Sequence, residues 1–167
     1  MKEEKVLTDA VLCYLVKNDK VLLARKAKKI GEGCWSGYGG GIDGHETELQ
    51  AVIRETKEEG HLTLSEKFLE KVAIIDFHNT KSDGKIFICK VHVYLATKWS
   101  GEPKETEEML SPTWFDRDHL PFDEMMPSDK EWFPQLLTGQ KLIAKAYLGP
   151  FQKTSLGETE ITYVKGF

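Results

Sequence analysis

The sequence has few cysteines, and their placement argues against a disulfide scaffold or a zinc centre. Cys13, Cys34 and Cys89 are the only three, and no C-x-x-C pair occurs. A disulfide framework uses an even, regularly spaced set of cysteines, and a structural zinc site uses closely spaced ligand pairs. We therefore expect reduced thiols, as in a cytoplasmic protein, and no zinc site.

Long apolar runs and an excess of positive charge are also missing. No stretch approaches the ~18 consecutive apolar residues of a transmembrane helix, and no signal-peptide pattern opens the chain. Charged residues make up 30% of the sequence and the formal net charge is −4. This balance argues against a nucleic-acid or membrane surface as the main partner.

Internal repeats and low-complexity linkers are absent as well. With 167 residues, the chain has the length of one domain with a sizeable core. We therefore expect a single domain over residues 1–167. Apolar and alternating runs predict strands, and turn residues predict hairpins; the predicted strands are Val6–Val16, Val21–Leu23, Trp35–Gly39, Phe68–Phe77, Lys85–Ala96 and Thr113–Phe115, with a last hairpin formed by Lys145–Phe151 and Thr159–Val164.

Three glutamates in the stretch from Gly40 to Leu62, GGIDGHETELQAVIRETKEEGHL, carry most of the chemical information. Glu55, Glu58 and Glu59 follow the spacing i, i+3, i+4, which places them on one face of a helix. Three ionised carboxylates on one face repel one another, whereas Mg²⁺ takes oxygen ligands from a few carboxylates, water and substrate phosphates. The spacing favours a magnesium site, although a charge run is also typical of a solvated helix face.

The surroundings of these glutamates favour the metal site. An apolar stripe gives the helix a buried side next to the carboxylates, and it consists of Leu49, Val52, Ile53 and Thr56. A glycine-rich lead-in lets the backbone approach a ligand closely, and it consists of Gly39, Gly40, Gly41 and Gly44. Thr47 and Gln50 form a capping box that begins the helix, and Gly60 is predicted to supply the left-handed residue that ends it.

The same stretch resembles the signature of the Nudix (MutT-like) hydrolases, G-x5-E-x7-R-E-U-x-E-E-x-G-U, in which U is aliphatic. The matching residues are Gly40, Glu46, Arg54, Glu55, Glu58, Glu59 and Leu62. Two positions depart from it: Thr56 stands where an aliphatic residue is usual, and His61 stands where the last glycine is usual. Neither departure removes a carboxylate, but Gly60 comes one place early, so the helix is predicted to end one residue sooner.

A second resemblance, to one branch of this family, lies between Trp114 and Leu137. The stretch is similar to the animal-type diphosphatases of oxidised purine nucleoside triphosphates, through Trp114-Phe115, Leu120-Pro121-Phe122, Met125, Pro127, Asp129, Trp132-Phe133-Pro134 and Leu136-Leu137. Three base-pocket positions of that branch differ here: Ser36 replaces an asparagine, Met126 replaces a tryptophan, and Ser128 with Asp129 replaces a pair of acids.

The resemblance implies an α/β fold, an α/β/α sandwich on a mixed β-sheet. It also implies Mg²⁺-dependent, or Mn²⁺-dependent, hydrolysis of a nucleoside triphosphate to the monophosphate and pyrophosphate. The catalytic carboxylates Glu55, Glu58 and Glu59 would hold the metal in a solvated site with the Gly40 carbonyl, and Glu58 or Glu59 would double as the base. A loop acid often joins such sites, and our candidate is Glu108; Glu46 and Arg54 are expected to form a structural ion pair.

The resemblance further implies where the nucleotide binds. The base is expected between Met126, Trp132 and the strand of Ser36 and Tyr38, with Asp129 reading its edge. Lys26 either attracts the polyphosphate or belongs to a solvated basic loop. With one acid and no asparagine, selectivity for oxidised over normal purines is expected to be modest.

Other functions remain open at this point. The substrate could be a nucleotide sugar or a dinucleoside polyphosphate, and a non-catalytic nucleotide-binding domain is a further alternative. The retention of all three metal-binding carboxylates, Glu55, Glu58 and Glu59, argues against the non-catalytic domain, and no added Cys/Glu pair supports an isomerase. A monomer and a homodimer are both compatible with the sequence.

Overall fold

A computed structural model describes residues 4–167 of the chain. The strands are β1 (Asp9–Lys17), β2 (Lys20–Lys26), β3 (Trp35–Ser36), β4 (Tyr38–Gly41), β5 (Thr63–Leu64), β6 (Leu69–Thr80), β7 (Ile86–Ala96), β8 (Trp99–Ser100), β9 (Met109–Asp116), β10 (Lys141–Leu148) and β11 (Glu160–Val164). The helices are α1 (Glu48–Gly60) and α2 (Asp129–Leu137). Among the described residues, no helix combines the length and apolarity needed to cross a membrane.

One large mixed sheet organises the molecule. Its strand order is β11-β10-β6-β7-β1-β2-β3, with β4 also paired to β1 and β9 to β2. The pairs β1–β7 and β6–β10 are parallel, and the other pairs of this sheet are antiparallel. Strands β5 and β8 form a separate antiparallel pair.

The two faces of the sheet are covered by different helices. Because side chains alternate along a strand, Val11 and Cys13 of β1 lie in a core with Val52 of α1. Tyr14 lies in the opposite core with Phe133 of α2, where the two rings stack at 4.1 Å. The α/β/α sandwich predicted from the family resemblance is therefore confirmed.

The start of α1 agrees with the sequence and its end does not. Thr47 accepts a hydrogen bond from the Gln50 backbone, and Gln50 accepts one from the Thr47 backbone, so the capping box is present. The left-handed residue is His61 (φ 59°, ψ 31°), and Gly60 is still helical. A Cβ on Gly60 would lie 2.8 Å from Cζ of Tyr38, so Gly60 is needed for close packing. The predictions that Gly60 ends the helix, and ends it early, are wrong.

Several strand boundaries also differ from the predicted ones. The predicted strand Trp35–Gly39 is interrupted at Gly37, where a Cβ would collide with the carbonyl oxygen of Cys13. Strand β6 continues past Phe77 to Thr80, and β10 begins at Lys141 instead of Lys145. The turn between β6 and β7 contains Asp83 and Gly84, with Gly84 at φ 85°.

Candidate active site

Arg54 of α1 connects the glycine-rich loop to the signature carboxylates. Its guanidinium donates to both carboxylate oxygens of Glu46 (2.7 and 2.9 Å) and to the carbonyl of Gly41 (3.0 Å). The expected contact with Glu46 is thus present, and this hydrogen bond lowers the pKa of Glu46 below its usual range. Arg54 also donates to Glu55 (2.9 Å) and Glu58 (3.2 Å), so it orients the carboxylates as well as the loop.

Glu55 lies directly against the backbone of Gly40. A Cβ on Gly40 would lie 2.5 Å from Oε1 of Glu55, so no other residue type could let the carboxylate approach β4 this closely. Burial raises the pKa of Glu55, and the hydrogen bond from Arg54 opposes that rise. The glycine of the signature is therefore required by the glutamate that faces it.

Glu59 is almost completely buried, with 4% of its surface exposed. One carboxylate oxygen accepts a hydrogen bond from the backbone N–H of Gly39 at 2.9 Å. Burial raises the pKa of Glu59, and the nearby charge of Lys26 opposes the rise. The expectation of a solvated carboxylate is wrong for Glu59, whereas Glu58 has a side chain that is 59% exposed.

Glu108, the loop acid selected from the sequence, lies beside Glu59. The two carboxyl groups are close enough to interact directly. Glu108 also forms an ion pair with Lys29 at 3.0 Å, and the hydrogen bond from Lys29 lowers the pKa of Glu108. A fourth carboxyl group therefore lies next to the signature glutamates.

The donor atoms around Gly40 suit a hard divalent cation. Glu55, Glu58, Glu59 and the Gly40 carbonyl offer only oxygen, and a cation would relieve the burial of the two carboxyls with raised pKa values. Within residues 4–167, no three or more acidic, histidine or cysteine side chains form a ready metal cage. Mg²⁺ usually binds through one or two carboxylates with water and substrate phosphates, so an open arrangement is compatible with it.

A cavity of about 120 Å³ lies on the α2 side of the sheet. Five residues predicted to bind substrate line it: Lys26, Ser36, Met126, Asp129 and Trp132. Gly39 and Gly40 of β4 line it too, and the same glycines contact Glu59 and Glu55. The cavity therefore begins where the signature carboxylates meet the sheet.

Tyr38 was predicted to contact the base, and the structure places it elsewhere. Its side chain is 1% exposed and lies in the core on the α1 side, against Gly60. Strand β3 pairs with β2 and β4 pairs with β1. Because the backbone changes its partner strand at Gly37, Ser36 and Tyr38 do not share one face.

Asp129 begins α2 at the wall of the cavity and is 5% exposed. Burial raises its pKa to about 8, against a hydrogen bond with the Met126 backbone that lowers it. At neutral pH the carboxyl group is therefore largely protonated and can donate a hydrogen bond. The side-chain oxygen of Tyr14 and the indole nitrogen of Trp132 are buried nearby without hydrogen-bond partners among the described residues.

Residues 6–136 match the family described as the NUDIX domain. The chain belongs to the NUDIX family. It is 39% identical over 152 residues to the oxidized purine nucleoside triphosphate hydrolase of Danio rerio, covering 91% of this chain and 88% of the relative. The Mus musculus protein of the same name is 36% identical over 130 residues, covering 78% and 80%. A MutT protein from Bacillus halodurans superimposes with a TM-score of 0.77 at 25% identity, covering 93% and 97%.

This NUDIX domain also has cavity residues that the sequence did not indicate, namely Tyr14, Phe77, Asn79 and Gln152. Asn79 lies beyond the end of the predicted strand Phe68–Phe77. Ile75, Phe77 and Asn79 are alternate residues of one strand, so they lie on the same face. This alternation is the sequence pattern that could have placed Asn79 on the buried face. Asn79 is 2% exposed, so a polar side chain lies on the buried face of the strand.

Proposed function

We propose that this protein is a Mg²⁺-dependent pyrophosphohydrolase of oxidised purine nucleoside triphosphates such as 8-oxo-dGTP, with the nucleoside monophosphate and pyrophosphate as products. The names of the relatives in Danio rerio and Mus musculus support this substrate class. The observation that carries the proposal is the apolar cavity that holds the Asp129 carboxyl group and adjoins the signature glutamates. Such a cavity suits a flat base with a polar edge.

The carboxylates of α1 are assigned to the phosphate chemistry. Glu55, Glu58, Glu59 and the Gly40 carbonyl would hold the cation, and Glu108 would support them from its loop. The bound cation supplies charge neutralisation at the phosphates and helps to activate water. Glu58 or Glu59 would act as the base that takes a proton from the attacking water. Arg54 keeps Glu55 and Glu58 in place.

The cavity is assigned to the nucleoside. Met126 and Trp132 provide soft and aromatic contact for the base, Ser36 lies along the β3 side, and Asp129 donates to an acceptor at the base edge. Lys26 lines the same cavity near Glu59, where its ammonium group attracts the triphosphate. Tyr38 supports α1 through Gly60 and has no part in base recognition.

We also propose that residues 1–167 act as one domain, since both cores are built on the same sheet. The three cysteines are free in the structure, which supports a cytoplasmic protein. The partner is a small nucleotide, and a monomer or a homodimer would serve the same chemistry.

A nucleotide panel tests the proposed function. Purified protein is incubated with purine and pyrimidine triphosphates, nucleotide sugars and dinucleoside polyphosphates, in Mg²⁺, in Mn²⁺ and in EDTA. We expect 8-oxo-dGTP and other purine triphosphates to yield monophosphate and pyrophosphate only with the metal present. Hydrolysis confined to the sugars or dinucleotides, or nucleotide binding without turnover, would overturn the assignment.

A further inference from the structure

Asn79 brings an unused hydrogen-bond acceptor to the cavity. Its Nδ2 donates to the carbonyl of Phe77 at 3.0 Å, and its Oδ1 is buried without a partner among the described residues. Rotating the amide by 180° would set two acceptors against each other, so the amide orientation is fixed. Because an unpaired buried acceptor costs free energy, this oxygen fits a ligand that donates to it.

The register of the sheet places Asn79 far from the phosphate chemistry. Gly40 of β4 is opposite Val11 of β1, and β1 is followed by β7 and then by β6, which carries Asn79. Neighbouring strands are about 4.8 Å apart, so Gly40 and Asn79 are separated by roughly 14 Å across the sheet. The residue of β6 level with Val11 is Ile74, and Asn79 lies five residues further on, which adds roughly 16 Å along the strand. A nucleotide with its phosphates at Gly40 and Glu55 would therefore extend its base toward Asn79.

Oxidation of guanine changes the hydrogen-bonding character of N7, and a hydrogen-bond acceptor in the protein distinguishes the two forms. Guanine has a lone pair at N7, so N7 accepts hydrogen bonds. In 8-oxoguanine, C8 carries a carbonyl group and N7 carries a hydrogen, so N7 becomes a donor. If N7 faces Oδ1 of Asn79, the oxidised base donates a hydrogen bond to Oδ1. The normal base instead brings the N7 lone pair against a lone pair of Oδ1, and the two repel each other.

We propose that Asn79 is a specificity-determining residue whose Oδ1 accepts the N7–H of an oxidised purine. This inference rests on the proposed function and deepens it. It divides base recognition between two residues, with the Asp129 carboxyl group as a donor and the Asn79 carboxamide as an acceptor. It also gives this chain a way to select oxidised guanine, despite Ser36 in place of the family's asparagine.

Asn79→Leu tests the proposal because leucine has nearly the same shape and no acceptor. We expect the ratio of kcat/KM for 8-oxo-dGTP to kcat/KM for dGTP to fall by about tenfold or more. Thr80→Val is the matched control, since Thr80 is the next residue of β6 and lies outside the cavity, so its ratio should equal that of the unmodified protein. Binding of 8-oxo-dGMP and dGMP in EDTA, by calorimetry, should show the same loss of preference without turnover.

A modified nucleotide tests the contact in the unmodified protein, independently of whether the leucine variant folds. In 7-deaza-dGTP a C–H group replaces the N7 lone pair. The repulsion at Asn79 predicts a higher kcat/KM for 7-deaza-dGTP than for dGTP, and Asn79→Leu should abolish the difference.

The outcomes separate this inference from the proposed function. Hydrolysis of purine triphosphates with an unchanged selectivity ratio in Asn79→Leu would overturn the role of Asn79 alone. An equal loss for 8-oxo-dGTP and dGTP would also overturn it, because the contact would then be to an edge common to both bases. Absence of purine triphosphate hydrolysis and binding in the unmodified protein would overturn both.

Discussion

The carboxylate of Glu59 accepts a hydrogen bond from the backbone N–H of Gly39 at 2.9 Å. This contact joins the last turn of the glutamate helix to the strand that forms one end of the cavity. This contact therefore helps to fix the two halves of the proposed site, one for phosphate and one for base, relative to each other. Only glycine can take the position of Gly39, because a Cβ there would collide with the carbonyl oxygen of Val11.

Glu59→Gln should remove activity without lowering stability. The amide can still accept from Gly39 but loses the charge required for the cation, so we expect kcat to fall by about 100-fold or more. Because the variant has no ionisable group to bury at this position, its Tm in EDTA should equal or exceed that of the unmodified protein. Added Mg²⁺ should raise the Tm of the unmodified protein and leave that of the variant almost unchanged.

Glu107→Gln is the control for that prediction. Glu107 is exposed and lies next to Glu108 in the loop, and the substitution removes the same charge as Glu59→Gln does. It should retain kcat and the Mg²⁺ response. A loss below about tenfold in Glu59→Gln, or roughly 1.4 kcal/mol of barrier, would argue against the metal assignment.

Arg54→Ala should reduce stability as well as activity. The side chains of Glu46 and Glu55 are only 14% and 12% exposed, so the variant leaves two largely buried carboxylates without their main partner. Breaking such pairs typically costs about 3 kcal/mol or more, which should appear as a lower midpoint in urea unfolding. Arg54→Lys should recover only part of the loss, because lysine cannot bind Glu46 through two parallel hydrogen bonds. An unchanged midpoint with lost activity would assign Arg54 to the chemistry alone.

Asp129→Asn should weaken the pH dependence of stability. An aspartate in the unfolded chain has a pKa of about 3.9, and burial raises that of Asp129 to about 8. Between these values the native state holds a proton that the unfolded state has released, so stability decreases as pH rises from about 4 to about 8. The asparagine variant lacks this contribution and should become the more stable form toward pH 8.

The measurement is urea unfolding of both proteins from pH 5 to pH 8 in metal-free buffer. Other titrating groups contribute equally to both, so the difference between the curves isolates Asp129. Parallel curves would show that Asp129 is ionised in the folded protein, and Asp129 would then accept at the base edge where we expect it to donate.

His61→Gly should stabilise α1. His61 adopts φ 59°, a left-handed conformation that glycine reaches without steric cost, so we expect a gain of about 0.5–1 kcal/mol in the free energy of unfolding. Gly60→Ala should do the opposite, since its Cβ would approach Tyr38 to 2.8 Å. Thermal unfolding of the two variants checks both directions, and a stabilising Gly60→Ala would contradict the packing explanation.

The features that depend on local chemistry could be predicted from the sequence. Thr47 and Gln50 cap the helix through contacts three residues apart, and the spacing of Glu55, Glu58 and Glu59 follows from the helix period. Asp129 was identified through a resemblance, and the structure places it in the cavity with Met126 and Trp132.

The features that depend on strand pairing could not be predicted. The direction of the Tyr38 side chain is decided where the backbone leaves β2 and joins β1. Asn79 became a cavity residue only because β6 continues beyond Phe77, beside β7 and β10. Helix α1 keeps Gly60 in its last turn, where Gly60 packs against Tyr38, a contact between distant parts of the chain, and the left-handed residue is His61.

The alternation along β1 has a consequence for how this protein unfolds. Cys13 and Tyr14 are adjacent in the chain, both have 0% exposure, and they belong to opposite cores. Because β1 contributes buried side chains to both cores, we expect the two layers to unfold in a single cooperative transition. We therefore expect any opening that admits a nucleotide to involve segments outside β1, with β1 remaining ordered.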